Sequence, residues 1–244
     1  MSTYVLVHGG WEGRWCWDKV VPLLKQEGHQ VETLDLPGHG QDRTPLGEIT
    51  QAAYTNRVVE TLETHVEPVI LVGHSSGGIV ITQVAEERPE KIETLVYLSA
   101  FLLQNGESLF QIFRFDTDSL LLPNLIVNEE QGYITFKEEA PLKEIFYADC
   151  SQEDVARAKL LLVPQEPLAP VATPVRTTAQ NYGRVPRVYI ECLRDRALSP
   201  SIQRKMYTAL PCKKILAMDT SHSPFFSAPQ ELVRHLTSLE SVSS

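Results

Sequence analysis

One stretch limits what this chain can fold into more than any other: Val69-Ile-Leu-Val-Gly-His-Ser-Ser-Gly-Gly78. Val69 to Val72 are apolar and mostly β-branched, as in a short strand buried on both faces. Gly73-His74-Ser75-Ser76-Gly77 then fits G-x-S-x-G, and Ile79 to Glu87 continues with helical spacing. Strand, sharp turn and helix in that order expose the serine of the pattern at the top of a sheet. The chemistry needs that exposure, because a serine hydroxyl is a weak nucleophile unless a base can reach it. Gly73 and Gly77 remove side chains that would collide with the turn, and the helix start offers the Ser76 backbone N–H to a developing negative charge.

The flanking segments repeat a strand–helix alternation. Tyr4 to Val7 reads as a buried strand, followed by His8-Gly9-Gly10-Trp11, a loop whose glycines let a backbone N–H approach a ligand; Gly10 is the donor chosen. Trp15 to Lys25 reads as a helix, Gln30 to Leu36 as a strand ended by the turn Pro37-Gly-His-Gly40, and Thr50 to Val66 as a helix. His39 is assigned to the turn and His65 to the helix end, where it offsets the dipole. Ile92 to Leu98 is a further strand. Such alternation implies an α/β fold, a mostly parallel sheet flanked by helices.

The alternation stops after Ala100 and resumes near Arg187. A gap of that length is too long for a loop, so residues 103–182 read as an inserted cap on a core made of 1–102 and 183–244. Within it, Leu120 to Leu122, Phe113 and Phe115 are candidates to line an apolar pocket. Arg187 to Leu193 and Lys213 to Met218 are the last strands, Pro229 to Leu239 is a closing amphipathic helix, and the Ser-rich end 241–244 is read as frayed.

Asp195 follows the penultimate strand and His222 the last one. In a parallel sheet these loops, the Gly10 loop and Ser75 all emerge at the carboxyl edge, where ligands bind. There His222 can take the Ser75 proton, Asp195 can orient His222, and the N–H groups of Gly10 and Ser76 can hold an oxyanion. Asp219 and Glu191 are the rival acids: Asp219 is close in sequence to His222, and Glu191 sits inside a strand.

Composition excludes several functions. With 22 Lys and Arg against 31 Asp and Glu, the chain carries a formal charge of −9, which argues against nucleic acid or an anionic membrane as partner. The four cysteines form no C-x-x-C pair and the seven histidines no metal spacing, so neither metal nor cofactor is expected. Residues 1–8 show no basic or apolar leader and no run approaches membrane-spanning length. The expectation is a cytoplasmic protein with free thiols acting on a small molecule; a homodimer is compatible with the sequence.

These residues carry a resemblance to a known family. Val5-Leu-Val-His-Gly-Gly10, Trp15 and Trp17, Pro22-Leu-Leu24, Gly28-His29, Leu34-Asp-Leu36, Val69 to Ser75 with Gly77-Gly78, Arg187-Val-Tyr-Ile190, Asp195 and His222 resemble the α/β-hydrolase superfamily. Within it the chain is similar to the small-cap branch of plant methylesterases, hydroxynitrile lyases and bacterial carboxylesterases, including pyrethroid-cleaving ones. The resemblance implies an α/β-hydrolase fold, a Ser75–His222–Asp195 triad, and hydrolysis of small to medium apolar esters through an acyl-serine intermediate. Substrate contacts are assigned to Gly9, Trp11, His74, Leu103, Phe113, Phe115, Leu121, Phe146 and Ser223. Two departures separate the branches: hydroxynitrile lyases of this group carry threonine where Gly9 stands and lysine directly after the histidine, where this chain has Ser223. That favours the esterase over the lyase; a triad-retaining ligand receptor is the other alternative.

Overall fold

The computed structural model describes residues 1–239; the Ser-rich end 241–244 lies outside them. Its strands in chain order are β1 (Thr3–Val7), β2 (Gln30–Thr33), β3 (Val69–His74), β4 (Ile92–Leu98), β5 (Leu125–Asn128), β6 (Tyr133–Phe136), β7 (Glu166–Pro167), β8 (Arg187–Cys192) and β9 (Lys214–Met218). The helices are α1 (Val20–Gln26), α2 (Gln51–Glu63), α3 (Gly77–Glu87), α4 (Leu109–Phe113), α5 (Leu142–Phe146), α6 (Gln152–Leu161), α7 (Leu168–Ala172), α8 (Pro200–Ala209), α9 (Pro224–Ser227) and α10 (Pro229–Thr237).

Six strands form one sheet in the order β2-β1-β3-β4-β8-β9, every neighbour parallel. All six residues of β3 are buried, because β1 and β4 cover its edges and helices cover its faces. That is why Val69 to Val72 is continuously apolar rather than alternating. α3 runs directly from β3 and is buried over most of its surface, which explains its Ile79-Val-Ile81 run. Thr50 begins α2 by accepting the Ala53 N–H at 3.0 Å.

Three elements differ from the sequence reading. α2, expected to reach Val66, ends at Glu63 with His65 beyond it. The helix expected over Trp15 to Lys25 is a short 3-10 turn at Arg14–Trp17 followed by α1. A continuous helix would place Pro22 in its interior, where the ring displaces a hydrogen bond; starting at Val20 puts Pro22 in the first turn, where no N–H is needed. The strand expected over Gln30 to Leu36 ends at Thr33. The Leu36 N–H donates instead to His8 Nε2 at 3.0 Å, and Pro37 then turns the chain away.

Between β4 and β8 the chain leaves the sheet. This excursion holds α4 to α7 and a second, antiparallel sheet in the order β5-β6-β7. Ser108 and Gln111 close the start of α4 with a reciprocal capping box. The excursion covers the carboxyl edge of the main sheet, where Ser75, Asp195 and His222 lie.

Candidate active site

Ser75 sits between β3 and α3 with φ of +51°, a left-handed conformation unusual for any side chain but glycine. The turn is held by its carbonyl, which accepts the Gly78 and Phe101 N–H groups at 3.1 Å each. The tightness shows in the flanking glycines. A methyl group on Gly73 would lie 2.7 Å from the Gly77 carbonyl oxygen, and one on Gly77 would lie 2.7 Å from that of His8.

His222 is buried, and its Nδ1 donates to Asp195 Oδ2 at 2.6 Å. A carboxylate only accepts, so this bond puts the proton on Nδ1 and leaves the Nε2 lone pair available to a hydroxyl. Asp195 is enclosed by donors. Oδ1 accepts the N–H groups of Ala197 at 2.7 Å and Leu198 at 2.9 Å, while Ser99 Oγ and Gln203 Nε2, the latter at 3.5 Å, donate to Oδ2. Arg194 beside it pairs instead with Asp149 and Asp219. Both rival acids are engaged elsewhere. Asp219 is an exposed partner of Arg194 at 2.9 Å, and Glu191 pairs with Arg204 at 2.7 Å.

A second histidine supports the first. His74 reaches from Glu12 Oε2, at 3.1 Å, to the backbone carbonyl of His222, to which its Nε2 donates at 2.9 Å. Its ring lies 4.5 Å from that of His222, so it fixes the loop carrying His222 against β3. From the excursion between β4 and β8, Asp149 accepts the Ser221 N–H at 2.8 Å.

The loop after β1 brings Gly10 against Ser76, a methyl on Gly10 lying 3.4 Å from Ser76 Oγ. The N–H groups of Gly10 and Ser76 donate to no acceptor among the described residues. Two chambers meet at Ser75. The larger is walled by apolar side chains, among them Phe101, Phe113, Leu121, Ile134 and Val171, with Gly10, Ser76 and Glu166 on its floor. The smaller is bounded by His222, His74, Trp11, Phe146 and Tyr147.

The structure therefore brings Trp11, His74, Phe113, Leu121 and Phe146 to the chambers, with Ser75, His222, Gly10 and Ser76. Four other assigned contacts line neither chamber. Gly9 is wedged beneath the serine, a methyl there lying 2.9 Å from Ser75 Cβ. Leu103 and Ser223 are fully buried in the core. Phe115 is 66% exposed on the outer face of the excursion, beneath the Lys205 ammonium. Phe115 lies past the end of α4, whose Phe113 lines the larger chamber.

Sequence reasoning missed Glu12, Ser99, Glu166 and the second role of His39. His39 does close the turn, its N–H donating to the Leu36 carbonyl at 2.9 Å, but its Nε2 also meets Glu166 Oε2 at 2.8 Å. The carboxylate raises the His39 pKa against the opposing effect of burial. His8 behaves oppositely. Its Nδ1 donates to the Gly9 carbonyl and its Nε2 accepts the Leu36 N–H, so burial and the neighbouring His39 hold it neutral, with a pKa lowered to about 3. Among the described residues, no three His, Cys, Asp or Glu side chains are grouped as a metal site requires, and no helix is long and apolar enough to cross a membrane.

Comparison with known proteins identifies the family. A family model described as the alpha/beta hydrolase family matches residues 4–235. Methylesterase 9 of Arabidopsis thaliana is 33% identical over 250 residues, covering 97% of each chain. A chloroplastic candidate methylesterase of the same plant is 33% identical over 253 residues; the match covers 99% of this chain, which spans 65% of that longer protein. The crystal structure of a pyrethroid hydrolase from Sphingobium faniae JZ-2 superimposes with a TM-score of 0.88 at 28% identity, covering 97% of this chain and 96% of the other.

Proposed function

Since this chain belongs to the alpha/beta hydrolase family, we propose that it is a serine carboxylesterase that cleaves esters joining a medium-sized apolar acyl group to a small alcohol. Ser75 Oγ attacks the ester carbonyl while His222 Nε2 takes its proton. The oxyanion that forms is held by the Gly10 and Ser76 N–H groups, each contributing roughly 3–4 kcal/mol. His222 then returns the proton to the departing alcohol, leaving an acyl-Ser75 that water hydrolyses by the same steps in reverse. Asp195 keeps the imidazole in the needed tautomer and stabilises the imidazolium.

The observation that carries this reading is the division of the site at Ser75. His222 borders only the smaller chamber. The leaving alcohol must lie beside the histidine that protonates it, so the alcohol belongs in the smaller chamber and the acyl group in the larger, apolar one. The methylesterase and pyrethroid hydrolase relatives support an ester substrate. A lyase releasing cyanide needs a cation beside the leaving group, and neither chamber is bounded by a lysine or arginine.

The test is hydrolysis of p-nitrophenyl esters from acetate to octanoate, and of methyl against butyl esters of the preferred acid, by wild type and Ser75→Ala. Ser75→Ala is expected to lower kcat by about 10⁴–10⁶, with activity rising to a medium acyl length and falling with alcohol size. A loss under tenfold in Ser75→Ala overturns the assignment of the nucleophile. Equal tolerance of large alcohols overturns the assignment of the chambers.

A further inference from the structure

The cap grips the loop after β1 at one residue, Trp11, from both sides of its backbone. The Trp11 N–H donates to Glu166 Oε2 at 2.6 Å, and its carbonyl accepts the Val163 N–H at 2.9 Å. Its indole packs on Phe136, 4.6 Å between ring centroids. Glu166, Val163 and Phe136 all belong to the excursion between β4 and β8. Trp11 has φ of +59°, a conformation a bulky residue holds only when its surroundings impose it.

That imposition matters because of the preceding residue. Gly10 has no side chain to restrict its φ and ψ, so the direction of its N–H depends on what holds the neighbouring peptides. The peptide joining Gly10 to Trp11 is pinned by the Glu166 carboxylate, which a methyl on Gly10 would approach to 3.3 Å. A bare carboxylate so near would oppose an oxyanion. Here His39 balances it: its Nε2 meets Glu166 Oε2 at 2.8 Å, and its Nδ1 meets the Pro37 carbonyl at 3.1 Å and the Tyr54 hydroxyl, able to accept as well as donate, at 3.4 Å, so an imidazolium finds an acceptor at both nitrogens.

We propose that Glu166, carried by the cap and charge-balanced by His39, is a positioning residue for oxyanion binding: by accepting the Trp11 N–H it keeps the Gly10 N–H aimed at the reacting carbonyl. The inference rests on the esterase reading above. It makes docking of the cap a condition for a competent site, since the loop is held in its strained form only while β7 lies against it.

The experiment measures the rate at which an alkyl fluorophosphonate labels Ser75, followed by mass spectrometry, alongside kcat and KM for p-nitrophenyl butyrate. The phosphoryl oxygen of the probe occupies the oxyanion position, so labelling reads the loop without knowledge of the natural ester. Wild type, Ser75→Ala, Glu166→Ala and Glu166→Gln are compared, with thermal unfolding to confirm the fold. Glu166→Ala is expected to slow labelling and lower kcat by roughly 10- to 100-fold, part of the loss seen when an oxyanion donor is removed, with KM within threefold. Glu166→Gln, whose amide oxygen still accepts the Trp11 N–H, is expected within fivefold of wild type. Should Glu166→Ala not fold, Glu166→Leu combined with His39→Leu removes both members of the pair at similar volume and carries the same expectation. Labelling of Glu166→Ala at the wild-type rate, or Glu166→Gln as slow as Glu166→Ala, overturns the proposal. Absence of Ser75 labelling in wild type instead fails the esterase reading, and the inference with it.

Discussion

Replacing Asp195 by asparagine keeps the shape of the site and changes only what one side chain can accept. Oδ1 faces the Ala197 and Leu198 N–H groups, and Oδ2 faces His222 Nδ1 and the Ser99 hydroxyl. Every neighbour donates, so an amide NH₂ meets donors in either orientation. Turned toward Oδ1, it leaves two buried N–H groups unpaired, at a cost of about 1–3 kcal/mol each. Turned toward Oδ2, it is accommodated when Ser99 accepts and His222 carries its proton on Nε2. That tautomer has no lone pair toward Ser75. The expected result is a fall in kcat of about 10⁴, or ~5 kcal/mol of transition-state stabilisation, with KM little changed. Asp219→Asn is the control: its pair with Arg194 is exposed, worth about 0–1 kcal/mol, and kcat should change less than twofold. The assay is steady-state hydrolysis of p-nitrophenyl butyrate between pH 6 and 9, with circular dichroism to confirm folding. Asp195→Asn within tenfold of wild type, or an equal loss in Asp219→Asn, would refute the reasoning.

Gly78→Ala should destabilise by about 3 kcal/mol, because the new methyl runs into the Phe101 carbonyl oxygen and lies 2.9 Å from its nitrogen. At 2–4 °C per kcal/mol for a chain of this size that is a drop of roughly 6–12 °C in Tm, read by thermal unfolding; a shift under 2 °C would count against it. His8, neutral in the fold with a pKa of about 3, takes up a proton in the unfolded chain below its ordinary 6.5. Its contribution therefore falls as pH drops from 6.5 toward 3, by about 2.3 kcal/mol between pH 6.5 and 4.5. His39, whose pKa is raised, acts in the other window: its contribution is complete below 6.5 and is lost as pH rises through its folded pKa. Urea unfolding at several pH values should show His8→Gln losing less stability than wild type between pH 6.5 and 4.5, and an unchanged slope would refute the His8 assignment. Phe113→Ala, which enlarges the larger chamber, should shift the preferred acyl chain to longer lengths, whereas Phe115→Ala on the outer face should leave the profile unchanged.

Near-neighbour chemistry made most of the main sheet legible. Val69 to Val72 reads as a strand buried on both faces, Gly73 and Gly77 as parts of a tight turn, and short strands alternating with helices as a parallel sheet, and the structure has each of them. Asp195 and His222 were identifiable as occupants of one edge, because a parallel sheet delivers every strand-end loop there. Inside the excursion this logic failed. β5 and β6 have four residues each and β7 has two, too few for alternation to register. Nothing local separates Phe113, facing the chamber, from Phe115, facing solvent two positions on.

What the sequence by itself determined is the α/β sheet, the turn that strains Ser75, and the edge at which its partners gather, since each depends on residues a few positions apart. What only the tertiary structure decided is which further carboxylates brace the site from afar, and which side chains face the chambers. Glu12 meets His74 across 62 positions and Glu166 meets Trp11 across 155. A buried carboxylate is stable only opposite a donor, and the chain does not record which donor the fold will bring to it.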